Sequence, residues 1–509
     1  MRTTLLLDLA ADSCGDRIAI GSRAIGSQGG GSQGGGSQGG GVSYEGLRAG
    51  ARAAGASLAG GAAKNLAFVG LNGVSAPLVL FAAGYAGMPY VPLNYRLKDA
   101  ELRRLLERSA PCAVVVDDDM AARVSGIEGV EVLPRIAFEA RWLADDVIDP
   151  GDPDEPDQDI AVLLFTSGTT GDPKAAVLRH TNLTSYVMAT VEFLGSDEDE
   201  AALVSVPPYH IAGISAILTS AYGARRIVYL PQFDAATWVA VAAREAITHA
   251  MVVPTMLDRI LDAMAASGET LPRLRALSYG GGRMPEPVIA RALALLPQVA
   301  FVNAYGLTET SSTVALLDAA DHRAAVASDD PAVRRRLGSV GRPLPMLELE
   351  IRDPEGRICA QGESGEIHVR GEQVSGEYLH KKAIADDGWF ATNDAGWLDA
   401  GGYLFVEGRL DDVIVRGGEN ISPGEIEDVL RAHPAVADVA VLGLPCDRWG
   451  EKVVAAVVVR DATGAEALAA HVRAALRSTK TPEAWFFREA LPYNETGKLL
   501  RRVLKAELG

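Results

Sequence analysis

Between about residues 67 and 405 the chain keeps returning to short apolar runs, at 112–116, 160–165, 203–206, 226–230, 250–253 and 300–302, separated by stretches long enough for a helix. Runs of this length suit strands buried on both faces, and strands that alternate with helices are joined by crossovers that lay them parallel. The pattern predicts an α/β body with largely parallel sheets, without fixing how many. Residues 65–95 carry no charge. Their length invites a membrane span, but Asn72, Pro77, Pro89, Asn94 and several glycines punctuate them into a buried strand, helix and strand. No integral membrane segment is expected, and Met1 to Asp8 contain too short an apolar run for a signal peptide.

A chain of 509 residues, 48% of them hydrophobic, exceeds one compact core. The pattern changes near 408–411, which divides the chain into a large N-terminal multi-sheet α/β body, residues 1–408, and a small α+β C-terminal domain, residues 409–509. In the small domain a strand at 412–415 precedes Gly417-Gly418. Ser422-Pro423-Gly424-Glu425 then has the form of a capping box with proline at the first helical position. That helix should stop before Pro434. Strands at 436–442 and 453–459 and a helix near 465–476 complete the unit. Residues 26–41 repeat GSQGG every five residues without an apolar side chain, which predicts a flexible insert with no catalytic role.

The net charge of −18 argues against nucleic acid and against an anionic membrane surface. Anionic substrates would have to be met by a few local cations or a metal. Cys14, Cys112, Cys359 and Cys446 are too scattered for a zinc site or redox pair, and isolated thiols suit a cytoplasmic protein.

The strongest chemical signal is Leu163-Leu164-Phe165-Thr166-Ser167-Gly168-Thr169-Thr170-Gly171-Asp172-Pro173-Lys174. A buried strand runs into a loop of hydroxyls, glycines and one lysine. Glycines let backbone N–H groups approach an anion, hydroxyls add rotatable donors, and the lysine adds a point charge, a set suited to a polyphosphate. No GxxxxGK[ST] spacing passes through it, so it is not a Walker loop.

Six further segments follow in order: Pro207-Pro208-Tyr209-His210, Tyr279-Gly280-Gly281-Gly282, Tyr305-Gly306-Leu307-Thr308-Glu309-Thr310, Thr392-Asn393-Asp394, Gly408-Arg409-Leu410-Asp411-Asp412 and Glu495-Thr496-Gly497-Lys498. With them the chain, from about residue 42 to 498, resembles the adenylate-forming superfamily of acyl-CoA synthetases, luciferases and peptide-synthetase adenylation domains. The resemblance implies an AMP-forming ligase that uses ATP, Mg²⁺ and coenzyme A to turn a small carboxylic acid into its thioester through an acyl-adenylate. It assigns the β- and γ-phosphates to Thr166, Ser167, Gly168, Thr169, Thr170 and Lys174. Mg²⁺ falls to Glu309 beside Thr308, and adenine to Tyr305 and Gly280, Gly281 and Gly282. Asp394 would meet the ribose hydroxyls with Arg409 close by, although Asn393 stands where the family usually has glycine. His210 would orient the acid, and Lys498 would stabilise negative charge at the α-phosphate. The small domain would be mobile, swinging about Asp411 so that Gly417 and Gly418 line the path of the CoA thiol.

The resemblance leaves open a carrier protein in trans as acceptor, and a homodimer; the end at Gly509 leaves no room for a fused carrier. A non-catalytic binding module would be expected to have lost Lys498, Glu309 or the hydroxyl loop. Tyr209, Ile211, Gly213, Met256, Gly280, Gly281 and Thr310 would form an apolar, partly small acid pocket, which favours a fatty acid over an aryl acid. Arg283 is the nearest charge that could meet a second carboxylate.

Overall fold

The computed structural model describes residues 1–22, 41–151, 158–166, 173–416, 419–446, 448–493 and 499–509. Among them the strands form four sheets. The largest, of nine strands, is parallel from Ala300–Leu307 through Ala276–Gly280, His249–Val252, Ala201–Val204 and Arg226–Tyr229 to Ile18–Ile20, with antiparallel pairs at both edges. The second, of eight, is parallel from Ile160–Thr166 through Tyr90–Pro92, Asn65–Val69 and Cys112–Val116 to Val130–Pro134. The apolar runs thus became strands of parallel cores, as their two-sided burial demands. The run at 300–302 extends to Leu307, which carries Tyr305 to the sheet's carboxyl edge.

Residues 65–95 fold as strand, helix and strand. Every residue of the helix Ser75–Tyr85 is buried. A helix apolar on all sides has no face to give to water, so it lies inside the protein. It joins Thr4–Cys14, Tyr44–Ala59 and Ile211–Gly223 in one core cluster that also takes in strands of the eight-stranded sheet. Among the described residues no helix is long and apolar enough to cross a membrane.

A four-stranded antiparallel sheet is formed by Glu348–Arg352, Gly365–Arg370, Phe390–Leu398 and Leu404–Arg409. Beyond it a five-stranded sheet and the helices Pro423–Arg431 and Ala465–Ala475 enclose a core of their own around Ile414, Ile426, Val439 and Val457. The expected capping box does not form. Ser422 makes no side-chain cap; its hydroxyl donates to the Glu407 carbonyl at 3.0 Å, and Glu425 pairs with Lys480. The residue types that would close the helix end are used instead to fasten it to the strand Leu404–Arg409 and to the turn Ser478–Lys480.

The repeat lies almost entirely outside the described residues, but its flanks are defined. Ile18–Ile20 and Val42–Ser43 pair antiparallel, with Ile20 opposite Val42. A tight turn could close this pair, and loop-closure entropy changes only logarithmically with length. Deleting residues 27–40 is therefore expected to leave turnover and soluble yield within about twofold of the parent, which activity assays on the purified variant would check.

Candidate active site

Parallel strands end together, and the crevice beyond their carboxyl ends is where open α/β sheets hold ligands. Thr166, Gly280 and Tyr305 all sit at such ends, and His210 follows the end of Ala201–Val204. The hairpin of Ile160–Thr166 and Lys174–Arg179 sets Thr166 opposite Lys174, and the Thr166 hydroxyl reaches the Lys174 carbonyl at 3.4 Å. Ser167, Gly168, Thr169 and Thr170 lie outside the described residues, as do Gly417, Gly418 and Lys498.

Three expected nucleoside residues come together from strands of two sheets. Asp394 and Arg409 face each other across Phe390–Leu398 and Leu404–Arg409. Arg409 Nη1 donates to Asp394 Oδ1 at 3.1 Å, and the Tyr305 hydroxyl donates to Asp394 Oδ2 at 2.6 Å. Burial and the neighbouring Asp394 charge hold the Tyr305 phenol protonated, well above its ordinary pKa. A carboxylate fixed on two sides in this way retains lone pairs for further donors, which suits vicinal hydroxyls. Gly280 pairs with Ala304, and the space a Cβ would occupy is filled by the Ala304 carbonyl. Gly281 and Gly282 continue past the strand end.

Asn393 explains its own departure from the family pattern. Its backbone has φ 60°, the left-handed region in which glycine is most at ease and asparagine is tolerated. Its side chain donates to Asp411 Oδ2 at 3.0 Å, joining the expected hinge to the sheet that carries Asp394. Arg283 pairs with Asp428 on the helix Pro423–Arg431, so its charge is engaged by the small domain.

Glu309 lies in the short turn Thr308–Thr310 and is 9% exposed. Among the described residues its carboxylate has one side-chain partner, the Tyr378 hydroxyl, which donates to Oε1 at 2.6 Å, and no basic group pairs with it. A buried carboxylate without a cation suits a hard metal ion. No cluster of three His, Cys, Asp or Glu side chains stands ready to hold a metal among the described residues. Glu309 therefore fits Mg²⁺ of the kind that is held by one carboxylate and completes its shell with phosphate oxygens and water. Tyr378 went unnoticed in the sequence. It stands 69 positions from Glu309 and no local motif marks it.

Two of the glycines expected to line the acid pocket lie hard against backbone. A Cβ on Gly213 would lie 2.8 Å from the Pro207 carbonyl, so both Gly213 and Gly280 are small because backbone passes close by. Tyr209 and Met256, each 6% exposed, belong to two separate cores. The Thr310 hydroxyl is spent on the Leu307 and Ser312 carbonyls. Of the others, Ile211 opens the helix Ile211–Gly223, which His210 caps from outside, with its ring 4.9 Å from that of Tyr209.

Two family models match: AMP-binding enzyme over residues 10–379 and AMP-binding enzyme C-terminal domain over residues 425–498. The chain belongs to the AMP-binding enzyme family. It is thus an enzyme of the adenylate-forming superfamily, an AMP-forming acid ligase. Its relatives include a feruloyl-CoA synthase of Amycolatopsis, 33% identical over 87% of this chain and 89% of that one. An indoleacetate–CoA ligase of Aromatoleum aromaticum is 32% identical over 85% and 86%. The structure of the o-succinylbenzoate CoA synthetase of Bacillus subtilis with its acyl-adenylate intermediate superposes with a TM-score of 0.82 at 26% identity, covering 99% of this ligase and 98% of that chain.

Proposed function

We propose that this ligase activates a compact aryl or arylalkyl monocarboxylic acid with ATP and transfers it to coenzyme A. The observation that carries the reading is the meeting of Thr166 and Lys174, Glu309, and the Tyr305–Asp394–Arg409 group around the strand ends. Asp394 accepts the ribose hydroxyls; Tyr305 and Arg409 keep its carboxylate in place. Thr166, Lys174 and the loop between them hold the β- and γ-phosphates. Bound at Glu309, Mg²⁺ would neutralise polyphosphate charge; the Bacillus subtilis relative has been seen with ATP and magnesium.

An acid oxygen, oriented near His210, attacks the α-phosphorus, the bond to pyrophosphate breaks, and Lys498 stabilises the charge that builds there. The small domain, residues 409–509, then turns about Asp411, and Gly417 and Gly418 line the route of the thiol. The CoA thiol gives up its proton to water as its sulfur attacks the acyl carbonyl, AMP leaves with the electron pair of the broken acyl–phosphate bond, and the thioester forms.

The sequence favoured a fatty acid, on the strength of Gly213 and Gly280 to Gly282. Backbone fills the space beside Gly213 and Gly280, though not beside Gly281 and Gly282, and the relatives are named for ferulate, indoleacetate and o-succinylbenzoate, which supports an aryl acid instead. Pyrophosphate release across a panel of aryl, arylalkyl and straight-chain acids, with and without CoA, tests this. Cinnamate- or arylacetate-type acids are expected to exceed every straight-chain acid by at least about tenfold in kcat/KM, a difference of ~1.4 kcal/mol. A preference for a long-chain acid would overturn the acid class. Pyrophosphate release without a CoA-dependent thioester would overturn the acceptor and point to a carrier protein.

A further inference from the structure

Tyr378 touches both arms of the phosphate site. Its hydroxyl donates to Glu309 Oε1 at 2.6 Å, while the Lys174 ammonium lies 5.9 Å from the centre of its ring. The strand Glu377–Tyr378 extends the eight-stranded sheet by pairing Tyr378 with Ala176, two residues past Lys174. The segment before it is bound to the Glu309 turn. Ser375 and Gly376 donate backbone N–H groups to the Glu309 carbonyl at 2.9 and 3.2 Å, and the Ser375 hydroxyl donates to Val177 at 2.6 Å. Gln373 Nε2 donates to the Thr310 and Thr313 carbonyls at 2.9 and 2.8 Å.

The backbone of this strap would hold the turn and the strand together with any side chain at 378. A phenol does two further things. It fixes one oxygen of a buried carboxylate that no cation neutralises among the described residues, and it places an electron-rich face beside an ammonium.

We propose that Tyr378 is a positioning residue that sets Glu309 for the metal ion through its hydroxyl and steadies Lys174 through its ring, making the two phosphate-binding arms one unit. The inference rests on the reading that Glu309 and Lys174 serve the ATP phosphates. Hydrogen-bond partners of metal-binding side chains typically change metal affinity by about 10- to 100-fold.

The test is calorimetric binding of α,β-methylene-ATP to the full-length protein, with and without Mg²⁺, so that no turnover is needed. Tyr378→Phe keeps the ring and the strap. It should bind the analogue normally without Mg²⁺ but lose about 10-fold of the tightening that Mg²⁺ gives, and raised Mg²⁺ should restore it. Tyr378→Leu should also weaken Mg²⁺-free binding, by about 2- to 5-fold, because the ring is gone. Glu309→Gln separates the inference from its premise. If Glu309→Gln abolishes the Mg²⁺ effect while Tyr378→Phe leaves it intact, the role of Tyr378 is wrong and that of Glu309 stands. If Glu309→Gln leaves the effect intact, the assignment of Glu309 itself fails. Equal loss of Mg²⁺-free and Mg²⁺-dependent binding in Tyr378→Phe would overturn the proposal as well, since the hydroxyl would then be holding the strap.

Discussion

Lys498→Ala is expected to slow acyl-adenylate formation by about 100- to 1,000-fold, the usual effect of removing one donor from a transition state in which charge accumulates. Given preformed acyl-AMP and CoA, the same variant should form thioester at close to the parent rate if, as proposed, the second step uses another face of the small domain. Asp411→Pro should do the reverse. Proline fixes φ near −65° and removes a backbone donor, so it should spare pyrophosphate release and stop thioester formation. Proline also removes the carboxylate that Asn393 holds at 3.0 Å. Asn393→Gly is the control: it breaks the same hydrogen bond in a left-handed position that glycine accepts, and leaves rotation free. Thioester formation by Asn393→Gly should therefore match or exceed the parent. Equal loss of both half-reactions in Lys498→Ala and Asp411→Pro would require a single fixed site for both steps.

What could be read from the sequence was the part that depends on residue type in local order. The apolar run at 112–116 is the strand Cys112–Val116, because an uninterrupted apolar run of strand length suits burial on both faces of a parallel sheet. Tyr305, Asp394 and Arg409, expected near one another, lie together, with Tyr305 and Arg409 each donating to the Asp394 carboxylate. What stayed hidden depends on which groups the chain brings together from afar. A glycine that opens a pocket and one that lets backbone pass look alike in sequence, and Gly213 proved to be the second kind. Ser422 has the right type for a helix cap, but the Glu407 carbonyl competes for its hydroxyl and wins. Tyr378 has no local pattern, since its partners Lys174 and Glu309 lie far away along the chain.

The same kind of distant pairing sets the other large effect. Glu427 is 3% exposed, with Arg501 Nη1 at 2.6 Å and the Val441 N–H at 2.8 Å. Arg501 opens the terminal helix Arg501–Leu508, three residues beyond Lys498, and also donates to the Val441 carbonyl at 2.8 Å. The pair thus anchors the far end of the lysine-bearing segment to the small domain. Glu427→Ala removes the nearer counter-charge of Arg501 and leaves it only Asp412 at 3.7 Å, which should cost up to about 3–5 kcal/mol. Amide hydrogen exchange is the direct measurement: protection of Val436–Cys446 and Gly450–Val459 should fall by about two to three orders of magnitude while the body's strands keep theirs. The double change Glu427→Leu, Arg501→Met removes both charges at similar volume and should recover most of that loss. If the double variant is no more protected than Glu427→Ala, packing rather than the uncompensated charge explains the effect. Acid should act on the same pair. Burial alone would raise the Glu427 pKa, but Arg501, Arg431 and the Val441 N–H outweigh it and hold it below its ordinary 4.5. The pair's contribution is therefore complete above 4.5 and drains away as the pH falls below that value, so the parent domain should loosen in acid over a range where the double variant shows no such loss.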